Sequence, residues 1–391
     1  MKKALIFDTY DDYNIRIQYI QSAFERNGYE TMIYFADFDH VKKEYYTNKR
    51  SNVHYLHANA YKKNLSYERM HSHALFAKAC VEEAQKHTDV SAIYVMVPPN
   101  SMVKEFGKYK ESHPNVKMWF DVLDMWPESL PISNTLKSLA SPILNLWRNV
   151  RNDSLHEADI VTTECDLFKK ELHGFIDASK MHTVYLAQPN RVLDTFDSME
   201  DTIHFLYCGS INHIVDIDLI VSFLKSVNEK KNVFLDIIGT GENGDAFLDE
   251  LKKNDIPFTY HGIVYEEKIK EEIYAHCHFG LNIMKEAVFV GLTMKSLDYL
   301  SHGLPIINTI QGDTKQIVDQ YKIGINIDRK DMQKSLDTLL SMHDKNYHDM
   351  RNTTKEVFLK YFDEDVVNKQ FDEIIKRLEN EYEYIRCDGC L

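Results

Sequence analysis

The feature that most constrains this chain is an alternation of short apolar runs with helical periods, and it occurs twice. In the first half, strands are predicted at Ala4–Phe7, Thr31–Phe35, Ala92–Val97, Val116–Val122, Ile160–Thr163 and Thr183–Leu186. In the second half they are predicted at Ile203–Cys208, Val233–Ile238, Phe258–His261, Gly280–Ile283 and Leu304–Ile307, with helical periods near 215–228, 243–254, 266–276 and 294–302. Between the first two runs, Ile17, Ile20 and Phe24 fall on one helical face, and Gly28 ends it. Strands that alternate with helices cannot pair as hairpins. They pair in parallel, with the helices covering both sheet faces. The chain is therefore predicted to be α/β, with two Rossmann-like doubly wound domains over residues 1–190 and 202–358. The polar stretch "AQPNRVLDTFDSMED", 187–201, reads as the linker. A helical segment over 359–391 follows, predicted to pack back on the first domain. Its last helix, near 364–382, carries Val366, Phe371, Ile374, Ile375 and Leu378 on one side.

Charge and cysteine usage narrow the function classes. The formal net charge is −14, of which residues 201–391 carry −11. That balance argues against a general nucleic-acid binder. No run of 18 apolar residues occurs, so no membrane-spanning helix is expected. The apolar stretch in "MKKALIFDTYDD" is too short for a signal peptide and reads as a first strand. Six cysteines, mostly scattered in apolar contexts, suggest reduced thiols in a cytosolic protein, and the terminal "CDGC" is a lone pair without a second.

In open parallel sheets, ligands bind beyond the carboxyl ends of the strands, and the candidate residues cluster at such ends. Cys208-Gly209-Ser210 follows the first strand of the second half, where Gly209 lets backbone amides approach an anion, or simply makes a tight turn. "DIIGTGENG" places Gly239, Gly241 and Gly244 after the next strand, which alone is weak evidence for a dinucleotide site. His261-Gly262 follows a third, as a ligand contact or as a packed histidine beside a turn. The segment "GLTMKSLDYLSHGLPIIN", 291–308, is the most specific. Thr293 can cap a short helix whose Met294, Leu297 and Leu300 face inward, and Gly303 can end it. Lys295 and Asp298 then share a face, either to grip a phosphorylated sugar at a free helix N-terminus or to form a surface ion pair. In the first half, Asp8-Thr9-Tyr10-Asp11-Asp12 follows the first strand and Pro98-Pro99 another. "FDVLDMWPES", 120–129, offers Asp121, Asp124 and Glu128 as bases or sugar ligands and Trp126 as a platform for a sugar face, or else a solvated loop.

With these residues in place, nearly the full length of the chain resembles glycosyltransferases of the two-domain GT-B fold. It is most similar to family 4 of those enzymes, in the branch that builds bacterial surface and capsular polysaccharides. "DMWPES" and "TMKSLDYLSHGLPIIN" carry the resemblance most specifically, with "EADIVTTE", "YCGSI" and "IIGTGENG" as softer matches. The resemblance implies two domains facing across a cleft that closes on the substrates. A nucleotide-sugar donor, UDP-, GDP- or dTDP-linked, would lie on the second domain. Gly209, Ser210, Gly239, Gly241, His261, Gly262, Gly291, Leu292, Thr293, Lys295, Ser296 and Asp298 would line it. Lys295 would neutralise the leaving diphosphate, and Asp298 would hold ribose hydroxyls. A saccharide or lipid-linked saccharide acceptor would meet Asp11, Asn14, Trp126 and Glu128, with Asp124 and Glu128 joining Lys295 in catalysis. No cofactor and no metal is expected, because no Asp-x-Asp metal signature stands at a suitable strand end and Lys295 can supply the positive charge. The chain departs from the family pattern in three places. Asp298 replaces a glutamate, Gly291 stands where an earlier glutamate is frequent, and Tyr10–Asn14 replaces a glycine pair.

Two other functions fit the same residues. A sugar-nucleotide epimerase or hydrolase of this fold would need no acceptor. A non-catalytic partner subunit would keep the fold and lose the glutamates. A last expectation concerns "LPISNTLKSLASPILNLWRNVRN", 130–152. Leu136, Leu139, Ile143, Leu146 and Trp147 share a helical side, Lys137, Arg148 and Arg151 add positive charge, and no acid interrupts. Either this is a core helix, or it lies on an anionic membrane surface and holds a cytoplasmic protein to the inner face.

Overall fold

The structure is a computed structural model and describes residues 2–11, 15–130, 132, 134–191, 198, 199 and 201–387. The chain divides into two compact units, residues 1–185 with 367–391, and residues 186–366.

The first unit contains strands β1 (Lys2–Phe7), β2 (Tyr29–Ala36), β3 (Phe38–Asp39), β4 (Glu44–Tyr45), β5 (His54–Leu56), β6 (Val90–Val97), β7 (Lys117–Val122), β8 (Ile160–Thr163) and β9 (Met181–Thr183). Its helices are α1 (Ile15–Arg26), α2 (Tyr67–Ala84), α3 (Asn100–Ser112), α4 (Asn134–Leu139), α5 (Ser141–Asn152) and α6 (Asp166–Glu171). Seven strands form a sheet in the order β5-β2-β1-β6-β7-β8-β9, every pair parallel. β3 and β4 form a small antiparallel ribbon. The central strands carry apolar side chains on both faces because helices cover both: Ala4, Leu5, Ile6 and Phe7 of β1 are all buried. The strand predicted at 183–186 lies earlier, at Met181–Thr183, because its partner β8 offers only Val161–Thr163 for pairing.

Two polar arrangements fix this core. Trp119 is fully buried against Phe24, Tyr94 and Phe371, and its indole N–H donates to Thr162 at 2.7 Å. Asp121, also fully buried, accepts from Arg16 Nε at 2.6 Å, Arg16 Nη2 at 2.9 Å, Thr162 Oγ1 at 2.6 Å and the Tyr94 hydroxyl. A buried ion pair is tolerated when such hydrogen bonds satisfy its remaining lone pairs. Asp121 is thus committed to the core.

The second unit contains β10 (Thr202–Cys208), β11 (Asn232–Ile238), β12 (Phe258–Gly262), β13 (Phe279–Asn282), β14 (Ile306–Asn308) and β15 (Gly324–Asn326). Its helices are α7 (Ile217–Asn228), α8 (Gly244–Lys253), α9 (Glu267–His276), α10 (Met294–Ser301), α11 (Asp313–Tyr321), α12 (Met332–Leu340) and α13 (Asp344–Tyr361). Its six parallel strands run in the order β12-β11-β10-β13-β14-β15. The last helix, α14 (Glu364–Cys387), belongs to the first unit from Val367 onward. Its buried seam is Val367, Phe371, Ile374, Ile375 and Leu378. Val367 replaces the predicted Val366, because a four-residue step back from Phe371 stays on the seam and a five-residue step leaves it. The architecture is thus the expected one: two doubly wound parallel sheets.

Candidate functional site

Each sheet reverses its strand order at one place, and there the strand ends splay to leave a crevice. In the second unit the reversal lies between β10 and β13. A pocket of 390 Å³ opens there, lined by Gln188, Cys208, Gly209, Ser210, Asn212, Ile214, Met284, Thr293, Met294, Lys295 and Asp298.

Three features build this pocket. The loops after β10, β11 and β12 pack backbone on backbone: Gly209 N donates to Ile238 O at 2.9 Å, Ile211 N to Thr240 O at 3.0 Å, and Gly239 N to Gly262 O at 2.7 Å. A Cβ on Gly239 would lie 2.1 Å from Gly209 O, so only glycine permits that approach. Next, α10 is capped by Thr293, whose hydroxyl accepts from Ser296 N at 3.0 Å. The same hydroxyl donates to Asn282 Oδ1 at 2.9 Å. Asn282 Nδ2 donates to Ser296 Oγ and to Asn308 Oδ1, each at 2.9 Å, and Asn308 Nδ2 to Asn326 Oδ1 at 2.7 Å. Three asparagines, each ending a strand, therefore pin the start of α10 to the sheet edge. Finally, Lys295 extends past Gly209, where an added Cβ would meet its Cε at 3.0 Å.

Lys295 has unusual surroundings. Its ammonium donates to the Tyr207 hydroxyl at 2.6 Å and lies 4.1 Å from the Tyr207 ring centroid. Among the described residues no carboxylate pairs with it. Burial without a counter-charge pulls its pKa down to about 7. Asp298 is held differently: it accepts from Lys270 at 2.6 Å and from the Tyr274 hydroxyl, and so forms its ion pair across to α9. Lys295 and Asp298 share the pocket without touching each other's charge.

Of the residues predicted for a donor, this pocket brings together Gly209, Ser210, Thr293, Lys295 and Asp298. Gly239, Gly241, Gly262 and Gly291 shape the surrounding loops, with Gly291 O accepting from Thr314 N at 2.8 Å. Leu292 and Ser296 are buried. His261 bonds Asp236 at 2.7 Å. Sequence reasoning missed Tyr207, Lys270 and Tyr274. It also missed the asparagine lock, although the endings "GLN", "IIN" and "GIN" of three successive strands were available as a signal.

In the first unit, Asp124 accepts from Met125 N at 2.7 Å, Ser129 Oγ at 2.6 Å and the Trp126 indole. Burial raises its pKa, against those hydrogen bonds. Glu128 binds Arg151 at 2.7 Å and Arg148 at 3.0 Å. Asp11 accepts from Tyr55 at 2.6 Å and lies 3.1 Å from Arg50. Trp126 packs against Trp147 at a tilt of 51°, centroids 5.6 Å apart, with the Arg69 guanidinium 5.2 Å from its ring. Asn14 lies outside the described residues. Sequence reasoning gave Asp8 no separate role. It follows β1 fully buried, its Oδ2 has no partner among the described residues, and burial lifts its pKa to about 7.

Comparison with known proteins bears on the fold and on the class of reaction. Residues 202–344 match the family model described as "Glycosyl transferases group 1". That segment holds the whole asparagine lock, Lys295 and Asp298. No curated protein matches the chain in sequence. Solved structures share its fold at low identity. Sucrose-phosphate synthase from Thermosynechococcus elongatus aligns over 97% of this chain and 100% of its own, with a TM-score of 0.71 and 11% identity. The lipopolysaccharide outer core galactosyltransferase WaaB, in its apo form, aligns over 96% and 99%, with a TM-score of 0.66 and 15% identity. Anabaena HepE in complex with UDP aligns over 96% and 100%, with a TM-score of 0.67 and 10% identity. The fold is that of these GT-B structures, and the matched domain supports sugar transfer as the class of reaction.

Proposed function

We propose that the chain is a nucleotide-sugar-dependent glycosyltransferase of the family 4 type. In this reading it moves a sugar from a nucleoside diphosphate to a lipid-linked saccharide during synthesis of a bacterial surface polysaccharide, such as a capsule. The observation that carries the reading is Lys295: a cation half-buried at a strand-order reversal, beside a capped helix N-terminus, with no carboxylate partner among the described residues. Such a site is incomplete without an anion. A diphosphate fits, because the first-turn N–H groups of α10 and the Lys295 ammonium converge on one pocket.

As the bond from the sugar's anomeric carbon to the diphosphate breaks, its electron pair goes to the leaving oxygen. Lys295 and the helix end are already in place to stabilise that charge. The acceptor hydroxyl bonds to the anomeric carbon and gives up its proton to an oxygen of the leaving diphosphate. Asp298, oriented by Lys270 and Tyr274, keeps lone pairs free to accept from ribose hydroxyls. Asp124 and Glu128 serve the acceptor side with Trp126, and no metal is needed. The nucleotide of HepE's complex makes UDP the first donor to test, followed by GDP and dTDP. The protein would work in the cytoplasm, with 130–152 resting on the inner membrane face.

Incubating the chain with UDP-, GDP- and dTDP-sugars and lipid-linked acceptors tests the reading by product mass. Transfer supports it. An epimer or free sugar formed at a useful rate without acceptor would replace it with the epimerase or hydrolase. Failure of every nucleotide to bind, seen by calorimetry, would point to the non-catalytic subunit.

A further inference from the structure

A second pocket, of 380 Å³, lies wholly within the first unit, walled by α2, α3 and the end of α5. Its chemistry is two-sided. Trp126, Trp147, Val150 and Met70 give it apolar walls, while Arg69, Lys78, Lys104 and Lys108 give it positive charge. Lys108 is engaged by the one acid in the lining, Glu105, at 3.0 Å. Among the described residues Lys78 and Lys104 form no ion pair. Arg69 donates to Asn64 O and the Tyr10 hydroxyl, and its Nε is buried with no partner among the described residues. The 13-residue α3 starts in this wall after Pro99, with no side-chain cap, so Asn100 and Ser101 of its first turn line the cavity. Asn100 is 3% exposed; its amide nitrogen holds Trp126 O and Trp147 O, and its Oδ1 has no partner among the described residues.

The pocket continues onto a surface. Ile143, Leu146, Trp147 and Val150 share one face of α5, since steps of three and four residues stay within a helical stripe. Trp147 and Val150 line the pocket, whereas Ile143 and Leu146 are 70% and 71% exposed. Leu136 and Leu139 of α4 add further exposed apolar surface, at 54% and 78%. Helices α4 and α5 are therefore not core helices. One apolar track runs from open surface into a cation-rimmed cavity.

We propose that this pocket binds the phosphate end of a membrane lipid that carries the acceptor saccharide, with the hydrocarbon chain lying along the α4–α5 track. The proposal rests on the reading of the chain as a glycosyltransferase with a lipid-linked acceptor, and deepens it. The match is one of chemistry. A phosphate needs Lys78, Lys104 and the open end of α3. A chain next to it needs the Ile143–Leu146 stripe. A sugar beyond it finds two indoles and the unpartnered Asn100 oxygen. A soluble sugar phosphate would leave the stripe bare, and a purely anionic bilayer would leave the cavity empty.

Co-sedimentation of the full chain with three kinds of vesicle tests this: neutral phosphatidylcholine, phosphatidylcholine with phosphatidylglycerol, and phosphatidylcholine with a polyprenyl phosphate at the same surface charge. Binding to the polyprenyl phosphate vesicles is expected to be about tenfold or more tighter than to the phosphatidylglycerol ones, because two unpaired lysines meet one localised charge. Lys78→Ala with Lys104→Ala is expected to remove that preference, and Ile143→Ser with Leu146→Ser to remove binding to every vesicle. Equal binding at matched charge, or a preference that survives the lysine changes, would overturn the proposal. Saturable binding of inorganic phosphate that depends on Lys78 and Lys104 but leaves the preference for polyprenyl phosphate vesicles unchanged would mark the site as one for a free anion and overturn it as well. UDP binding, measured on the same samples, is expected to be unchanged. Intact nucleotide binding with lost vesicle preference therefore separates failure of this site from failure of the glycosyltransferase reading.

Discussion

Nucleotide affinity is expected to weaken with rising pH, and the size of the effect follows from Lys295. In the unliganded pocket, burial holds its pKa at about 7, against an ordinary 10.5. A bound diphosphate supplies the missing counter-charge and returns the pKa toward the ordinary value. The bound form then holds a proton that the free form loses above pH 7, so affinity is highest below 7 and falls as pH rises. With full recovery of the ordinary value, the limiting slope is tenfold per pH unit, and Kd at pH 9 is about 50-fold its value at pH 7. The other groups do not compete in that window. Burial holds the Cys208 thiol up at about 11 and pushes the Tyr207 hydroxyl higher still, while the nucleotide's terminal phosphate, with a pKa near 6, is already ionised. Isothermal titration with UDP, run at pH 8.5 in two buffers of different ionisation heat, reads the linked uptake directly, and about one proton is expected. Lys295→Ala should abolish both the uptake and the slope. A Kd that is flat from pH 7 to 9, or a slope that persists in Lys295→Ala, would refute the assignment of the diphosphate to Lys295.

Lys295→Ala should also lower turnover by about 10²–10³, the usual loss for one preorganised donor, measured by product formation at saturating donor. Without ligand, Lys295→Met should stabilise the protein against urea by about 1 kcal/mol or more at pH 6. The penalty of burying the charge is fully present below pH 7 and fades as pH approaches 10.5, so the gain should shrink between those values. Asp298→Ala should raise the donor KM by about tenfold with a smaller effect on kcat, because it removes an acceptor for ribose and leaves Lys270 unpaired; an unchanged nucleotide Kd would confine Asp298 to its ion pair. Asp124→Ala should keep nucleotide affinity and lose transfer, and equal losses of both would refute that placement. Glu128→Gln leaves the fully buried Arg151 without its partner, so urea denaturation should show a loss of about 3–5 kcal/mol while the folded fraction binds UDP normally.

The fold was legible because both sheets are parallel and covered on both faces. Their strands read as continuous apolar runs such as "ALIF" and "FLDII", which turn chemistry then punctuates. What escaped were elements without that signature. His54–Leu56 and Gly324–Asn326 are three-residue edge strands, too short to show a period, and α2 buries only Ser72, Phe76, Ala77, Cys80 and Ala84 among many charged residues. In the site, the spacing of Lys295 and Asp298 located the pocket, since both lie on a helix that starts at a strand-order reversal. Their partners were invisible in sequence. Lys270 and Tyr274 lie on a different helix, and Tyr207 lies 88 residues before Lys295, so only the folded unit brings them near. Glu128 reads in sequence as an exposed loop acid. The arginines that hold it follow 20 and 23 residues later, on a helix whose outward apolar side dominates the pattern.

The frame behind the Lys295 pocket is made of amides and hydroxyls alone: Asn282, Asn308, Asn326, Thr293 and Ser296. None of these groups ionises in the working range of a protein, so the frame is silent to acid and base. Protonation changes at the pocket act on the charges in front of the frame and leave the start of α10 where it is. The side-chain amides of Asn282 and Asn308, both fully buried, should therefore exchange slowly with solvent deuterium and keep their chemical shifts from pH 6 to 9, giving a fixed spectroscopic background on which the titration of Lys295 stands out.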